Sequence, residues 1–388
     1  MTRPRRVRLG VTGLGRMGEV HARNAAGRCA GVELAGLFDP DAARAAALSA
    51  RLGVPAAASF EALCHDSRLD GVIIAAPTAE HAALSLQAIA AGCPVLCEKP
   101  ISLERAAIVA VAEAAARAKV TLQVGFNRRF DAANQAAAER RRRGELGEVY
   151  LFHSSQRDMS PPRSEFLAGS GGIFHDMGVH DFDAARFLVG EIVEVSAAGS
   201  ALSDPGFAAI GDYDTAVVTA RFETGALGLF DLSRVAGYGY ESALEVMGAA
   251  GTVRVACPPA LGVEWRAHGS ATRPLLTAFH ERYGAAFVAE VESFAEAILT
   301  GRAPLATGAD ALAAFDLAEA AARSARTGAP VHVGVATPPD PGATSAGPDR
   351  VPAVPARGGS SDETGRNETG RNETGSDGTG SDTNKENM

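Results

Sequence analysis

A chain of 388 residues, 46% hydrophobic and 21% charged, is long enough for two domains with sizeable cores and falls among globular compositions. The net charge of −9 argues against nucleic acid as the main partner, because phosphate binding needs a basic surface. Five scattered cysteines without CxxC spacing suggest neither disulfides nor a metal site, and neither a spanning apolar run nor a signal segment precedes the first strand, so a reduced cytoplasmic protein is expected.

From Arg8 to about Gly125, short apolar runs such as "VRLGVTG", "VELAGLFD" and "DGVIIAAP" alternate with helical stretches. That alternation predicts βαβ units and a parallel sheet covered on both faces, hence a Rossmann dinucleotide-binding domain over residues 1–125. The first turn, "GVTGLGRMGEVH", places Gly13, Gly15 and Gly18 in a GxGxxG pattern after a strand and at the start of a helix. Gly13 permits the tight turn, Gly15 lets a pyrophosphate approach the backbone, and Gly18 allows close helix–strand packing. Leu14, Arg16 and Met17 lie between them on the turn that would cradle the cofactor. Asp39 ends the second strand about twenty residues further on, where a carboxylate binds the ribose hydroxyls of NAD and repels a 2′-phosphate. Arg44 and Arg16 are the nearby cations that qualify a preference for NAD over NADP. "CEKP" is read as closing the fifth strand, which sets Glu98 and Lys99 outside the carboxyl end of the sheet, where ligands bind in open α/β folds.

The basic run Arg140–Arg143 follows an alanine-rich stretch and reads as a solvated helix end. Beyond it the texture changes to short strands divided by Gly, Asp and Pro, which predicts a mostly antiparallel open sheet with a helix packed on one face. Two late helices are expected, over about Ala278–Leu299 and Gly308–Arg326, followed by "PVHV". A substrate and oligomerisation domain thus covers residues 126–336, and residues 337–388 form a low-complexity tail too poor in apolar side chains to order itself. Within the second domain, "GGIFHDMGVHDFDAARFL" has apolar residues at helical spacing and also carries Asp176 and His180, four apart and so on one face if the segment is α-helical.

The combination of GLGRMG, Asp39, "APTAEHA", "CEKP", "VGFNRRFD" and "GGIFHDMGVHDFD" resembles the glucose-fructose oxidoreductase / inositol dehydrogenase family, from about Arg8 to Gly334, and within it the inositol 2-dehydrogenase branch. The resemblance implies NAD bound over the parallel sheet, a cyclic polyol between the domains, and a homo-oligomer, commonly a tetramer. It implies a catalytic group of Lys99, Asp176 and His180. An imidazole titrating near neutrality suits removal of the hydroxyl proton, and a lysine suits stabilisation of the developing oxyanion. Ala76, Pro77, Thr78, His81 and Asn127 match cofactor-lining segments, together with Glu98 and Lys99. Arg128, Asp158 and Tyr240, with Lys99, Asp176 and His180, are the substrate-binding candidates. The expected reaction is oxidation of myo-inositol to 2-keto-myo-inositol. The alternatives are another polyol or sugar (scyllo-inositol, glucose, an anhydrosugar), a glycosidase that recycles its NAD, or a sensor without catalysis.

Overall fold

Two sheets share one chain that crosses between them more than once. The structure, a computed structural model, describes residues 5–66 and 68–334, so the expected disordered tail lies outside the described residues. The first sheet is laid down by β1 (Val7–Thr12), α1 (Arg16–Gly27), β2 (Val32–Phe38), α2 (Ala42–Leu52), α3 (Phe60–Cys64), β3 (Gly71–Ile74), α4 (Thr78–Ala90), β4 (Val95–Cys97), α5 (Arg105–Ala118) and β5 (Leu122–Val124). Its strands are parallel in the order β2-β1-β3-β4-β5. Helices cover both faces, so β3, β4 and β5 are buried at every position, and β3 and β4 read as continuous apolar runs. "CEKP" follows the fourth strand and not the fifth, since only β1, β2 and β3 precede Val95–Cys97 in the chain.

A 3₁₀ turn (Asn127–Phe130) leads into α6 (Ala132–Arg142), whose basic end pairs with Glu139 and Glu145. Then come β6 (Val149–Arg157), α7 (Ser164–Gly169), a π turn (Phe174–Gly178), α8 (Val179–Leu188), β7 (Ile192–Ser200), α9 (Pro205–Ala209), β8 (Thr215–Phe222), β9 (Leu227–Ser233), β10 (Glu241–Gly248) and β11 (Thr252–Val255). A small hairpin, β12 (Trp265–Ala267) and β13 (Ser270–Thr272), precedes α10 (Phe279–Thr300), α11 (Gly308–Thr327) and β14 (Val331–His332). The second sheet has seven strands in the order β11-β10-β6-β9-β8-β7-β14, antiparallel except between β6 and β9. One face carries Phe152, Val218, Phe222, Phe230 and Val246 into a core shared with α8 and α11. The opposite face presents Met247, Leu151 and Leu227 side by side on adjacent strands, with Val217 beyond them.

The late helices do not stay with the second sheet. Val291, Phe294 and Ala295 of α10 pack with Val7, Leu9 and Val11 of β1. Helix α11 is shared, since Ala311, Ala314 and Phe315 join the core around β4 while Leu317, Ala318 and Ala321 join the other. Among the described residues no helix is long and apolar enough to cross a membrane.

Candidate active site

The turn after β1 is built by its glycines. Gly13 has φ +77, and a Cβ there would lie 2.3 Å from Ala76 N; a Cβ on Gly18 would lie 1.8 Å from Gly13 O. Gly15, the N-cap of α1, faces open space. Free N–H groups at that helix start, with no side chain before them, fit a pyrophosphate. At the end of β2, the buried Asp39 accepts the Leu14 N–H (2.6 Å) and the Asp41 N–H (2.9 Å), which fixes its carboxylate beside the turn. Arg44 reaches it at 3.2 Å from a half-exposed position. Leu14 is buried, Met17 packs near Tyr240, and Arg16 lies over the Phe279 ring at 4.9 Å, so α10 also braces the cradle. These residues fit a dinucleotide.

Both ring nitrogens of His81 lie against backbone carbonyls. Its Nδ1 lies 2.8 Å from Pro100 O and its Nε2 2.7 Å from Ala76 O, so the ring ties the Ala76–Thr78 turn to the segment after β4. Pro77 is the N-cap of α4 and exposed, with Thr78 opening the helix. Glu98 is also turned inward: His21 Nε2 is 2.7 Å from its Oε1, and Glu290 of α10 lies against both. Burial works to raise the Glu98 carboxyl, but His21, with Lys99 and His81, outweighs it and holds Glu98 below the usual range. Glu290, fully buried and with neither oxygen hydrogen-bonded, is pushed well above that range by burial and by Glu98. One acid of the pair stays charged and the other neutral.

Lys99 leaves the end of β4 and meets the second sheet's contribution. Its Nζ donates to the Asp176 backbone carbonyl (2.9 Å) and side chain (Oδ1, 3.3 Å). Arg234, just past β9, donates from Nη1 to the other oxygen, Oδ2, at 3.0 Å. Burial favours a neutral Asp176, and Lys99 and Arg234 together overcome it, so the carboxyl lies below its ordinary range. The expected α-helical pairing of Asp176 with His180 does not form. Asp176 lies in a π turn, whose i→i+5 bonding widens the turn and rotates it relative to α8. The imidazole of His180 instead sits edge-on to Phe126, with Nδ1 buried and unpartnered. Burial, Lys99 and Arg128 push His180 well below its usual value, so it is a neutral base at neutral pH.

Asp158, next to β6, has no hydrogen bond or ion pair to its carboxyl among the described residues; burial and Asp176 raise it to about 6. Tyr240 is buried, its hydroxyl pushed well above 10 by burial and by Tyr283. Arg128 lies behind the site rather than at its surface, with Nη1 on Asp181 (2.7 Å), Nη2 on Gln156, and its plane over Tyr283. Asn127 is buried beside it. Arg234, Asp212, Asp181 and Glu290 were not evident from motifs. A signal for Arg234 does exist: Gly228, Phe230 and Leu232 are the buried positions of β9, and a period of two makes 234 the next.

The chain thus combines a glycine turn that fits a dinucleotide with a lysine and a carboxylate brought together from two sheets and a neutral imidazole within reach of that lysine's charge, a set of groups suited to a nucleotide-dependent oxidoreductase. Residues 7–126 match the NAD-binding Rossmann fold of the oxidoreductase family, and residues 134–254 match the GFO/IDH/MocA C-terminal domain; the chain belongs to this family. It is 38% identical to the inositol 2-dehydrogenase of Rhizobium meliloti (strain 1021), over 82% of this chain and 96% of the relative. It is 34% identical to the scyllo-inositol 2-dehydrogenase (NAD(+)) of Bacillus subtilis (strain 168), over 85% and 97%. The crystal structure of scyllo-inositol dehydrogenase from Lactobacillus casei with bound NAD(H) and scyllo-inositol superposes with a TM-score of 0.78, at 28% identity, covering 84% of this chain and 99% of that one.

Proposed function

We propose that the protein oxidises one ring hydroxyl of an inositol with NAD, most directly myo-inositol to 2-keto-myo-inositol. The observation that carries this reading is Lys99 bonded to Asp176, with His180 within reach of the lysine's charge, in a chain that also holds the glycine turn of a nucleotide cradle and is akin to inositol dehydrogenases. NAD supplies the hydride acceptor. His180 takes the hydroxyl proton at Nε2, a task its neutral state allows. Lys99 Nζ donates to the oxygen as negative charge grows there. Asp176, charged and held at both oxygens, orients Lys99 and accepts from a neighbouring hydroxyl. Asp158 and Tyr240 line the remaining side, and Arg128 fixes the wall through Asp181 and Gln156. The relative named for scyllo-inositol supports that stereoisomer as the second reading.

The open sheet face, with Leu151, Val217, Leu227 and Met247, supports a homo-oligomer, which we take as a tetramer acting in the cytoplasm. Myo-inositol, scyllo-inositol and glucose, each assayed for kcat/KM with NAD and with NADP, test the activity. NADH should form with an inositol, with NAD preferred by at least roughly tenfold, about 1.4 kcal/mol. Asp39→Ala should narrow the preference. No NADH from any cyclic polyol would exclude the dehydrogenase, and bond cleavage in a glycoside without net NADH would indicate the glycosidase chemistry instead.

A further inference from the structure

The group that sets the geometry of the catalytic turn is one the mechanism above does not use. Arg234 has the largest side chain among the fully buried residues, at 0% exposure. A guanidinium cannot shed its charge, so it is buried only where anions repay the loss of water. Two carboxylates face it. Nη1 is bonded to Asp176 Oδ2 at 3.0 Å, and Nη2 stands 3.4 Å from Asp212 Oδ2, near enough for charge but misaligned for a hydrogen bond. Asp212 in turn accepts the Ile173 N–H through Oδ1 at 2.8 Å, at the residue before the π turn. A Cβ on Gly172 would come within 2.9 Å of that oxygen, so glycine there permits the approach. The Arg234 backbone is anchored as well, its N–H donating to Asp214 O at 2.7 Å.

One side chain therefore holds the π turn at two points, its entry through Asp212 and its functional carboxylate directly. We infer that Arg234 is a positioning residue for the proposed oxidation: it grips Asp176 by one oxygen and the start of the π turn through Asp212, so that Lys99 and His180 present a single arrangement to the substrate. The inference rests on the proposed activity for its kinetic reading only. Lys99 alone cannot do this work, because it touches the carbonyl and the opposite oxygen and leaves Asp176 free to swing about that contact. The groups facing Asp176 are Lys99 from the end of β4, Arg234 after β9 and Asp158 after β6, with Asp212 beyond Arg234 and His180 on α8. Removing Arg234 leaves one cation against burial and Asp158, so protonation of Asp176 moves to higher pH.

The experiment compares Arg234→Lys and Arg234→Gln with the unaltered chain for NADH binding, kcat, KM and the pH profile of kcat/KM. NADH affinity should be unchanged in both, since the nucleotide cradle lies on the other sheet. Misplacement of reacting groups by about an ångström costs on the order of a hundredfold in rate, and Arg234→Gln should lose kcat on that scale, with Arg234→Lys losing at least roughly tenfold. The acid limb due to protonation of Asp176, distinct from that of His180, should shift upward in Arg234→Gln, and added guanidinium ion should restore part of its kcat. If Arg234→Gln does not fold, the lysine variant decides: normal thermal stability with normal kcat overturns the inference. So does a folded Arg234→Gln with an unmoved acid limb and no response to guanidinium, the behaviour of a merely structural arginine. A chain that oxidises no cyclic polyol refutes the activity but not this inference, which is then read from the Asp176 carboxyl itself by NMR of isotope-labelled protein. That carboxyl should titrate at higher pH in Arg234→Gln, and coincident titrations overturn the claim.

Discussion

At the scale of single residues, the site works by keeping opposite charges on neighbouring groups. Lys99 and Arg234 force Asp176 to remain an anion inside the protein, while Lys99 and Arg128 help burial to keep His180 uncharged. The pH behaviour follows. A base that must be neutral, with its value depressed below 6.5, gives a kcat that rises with pH through an acid limb below that value and is level through neutrality. A limb centred at or above 6.5 would contradict the role given to His180. His180→Ala should lower kcat by about 10²–10⁴-fold, the span of general-base contributions, with NADH affinity intact. Near-normal kcat in that variant would return the imidazole to a packing role against Phe126.

At the scale of elements, the parallel sheet was legible because its strands are mostly apolar and alternate with helices, and the cradle because Gly13 and Gly18 meet steric demands and Gly15 leaves the helix start open. The π turn was not. It inserts one residue into a helical pattern without altering composition, so the spacing of Asp176 and His180 suggested a direct pairing that the structure does not make. The partners of Arg128 and His81 were not legible for a related reason: Asp181, Gln156 and the Pro100 carbonyl are brought to them only by the fold. Glu290 is the sharpest case, a carboxyl on the buried face of α10 that no motif marks. Its raised value means that the native state keeps a proton the unfolded chain releases, so its contribution to stability is full below about 4.5 and is lost as pH rises towards the native value. Glu290→Gln keeps the shape and removes that loss. Its melting temperature relative to the unaltered chain should therefore climb between pH 5 and pH 8, as thermal unfolding can show. A constant difference would mean that Glu290 is ionised in the native protein.

At the scale of the whole molecule, the exposed face of the second sheet is the feature that calls for a partner. Met247, Leu151 and Leu227 make a continuous apolar row across β10, β6 and β9, flanked by the Arg157, Asp231 and Glu241 network. Sedimentation at micromolar concentration should give a tetramer, and Leu227→Arg should split it. A monomer at that concentration would show the face to be solvated.

The return of α10 to the first sheet bears on where this chain can be cut. Because Val291, Phe294 and Ala295 close the core over β1, residues 1–126 made alone would present Val7, Leu9 and Val11 to water. Such a fragment should aggregate or remain loosely packed, whereas the same segment joined by a linker to residues 279–300 should fold more stably. The nucleotide half is thus assembled from two distant stretches of the gene. During synthesis it must wait, incompletely closed, until strands β6 to β11 of the second sheet have been made.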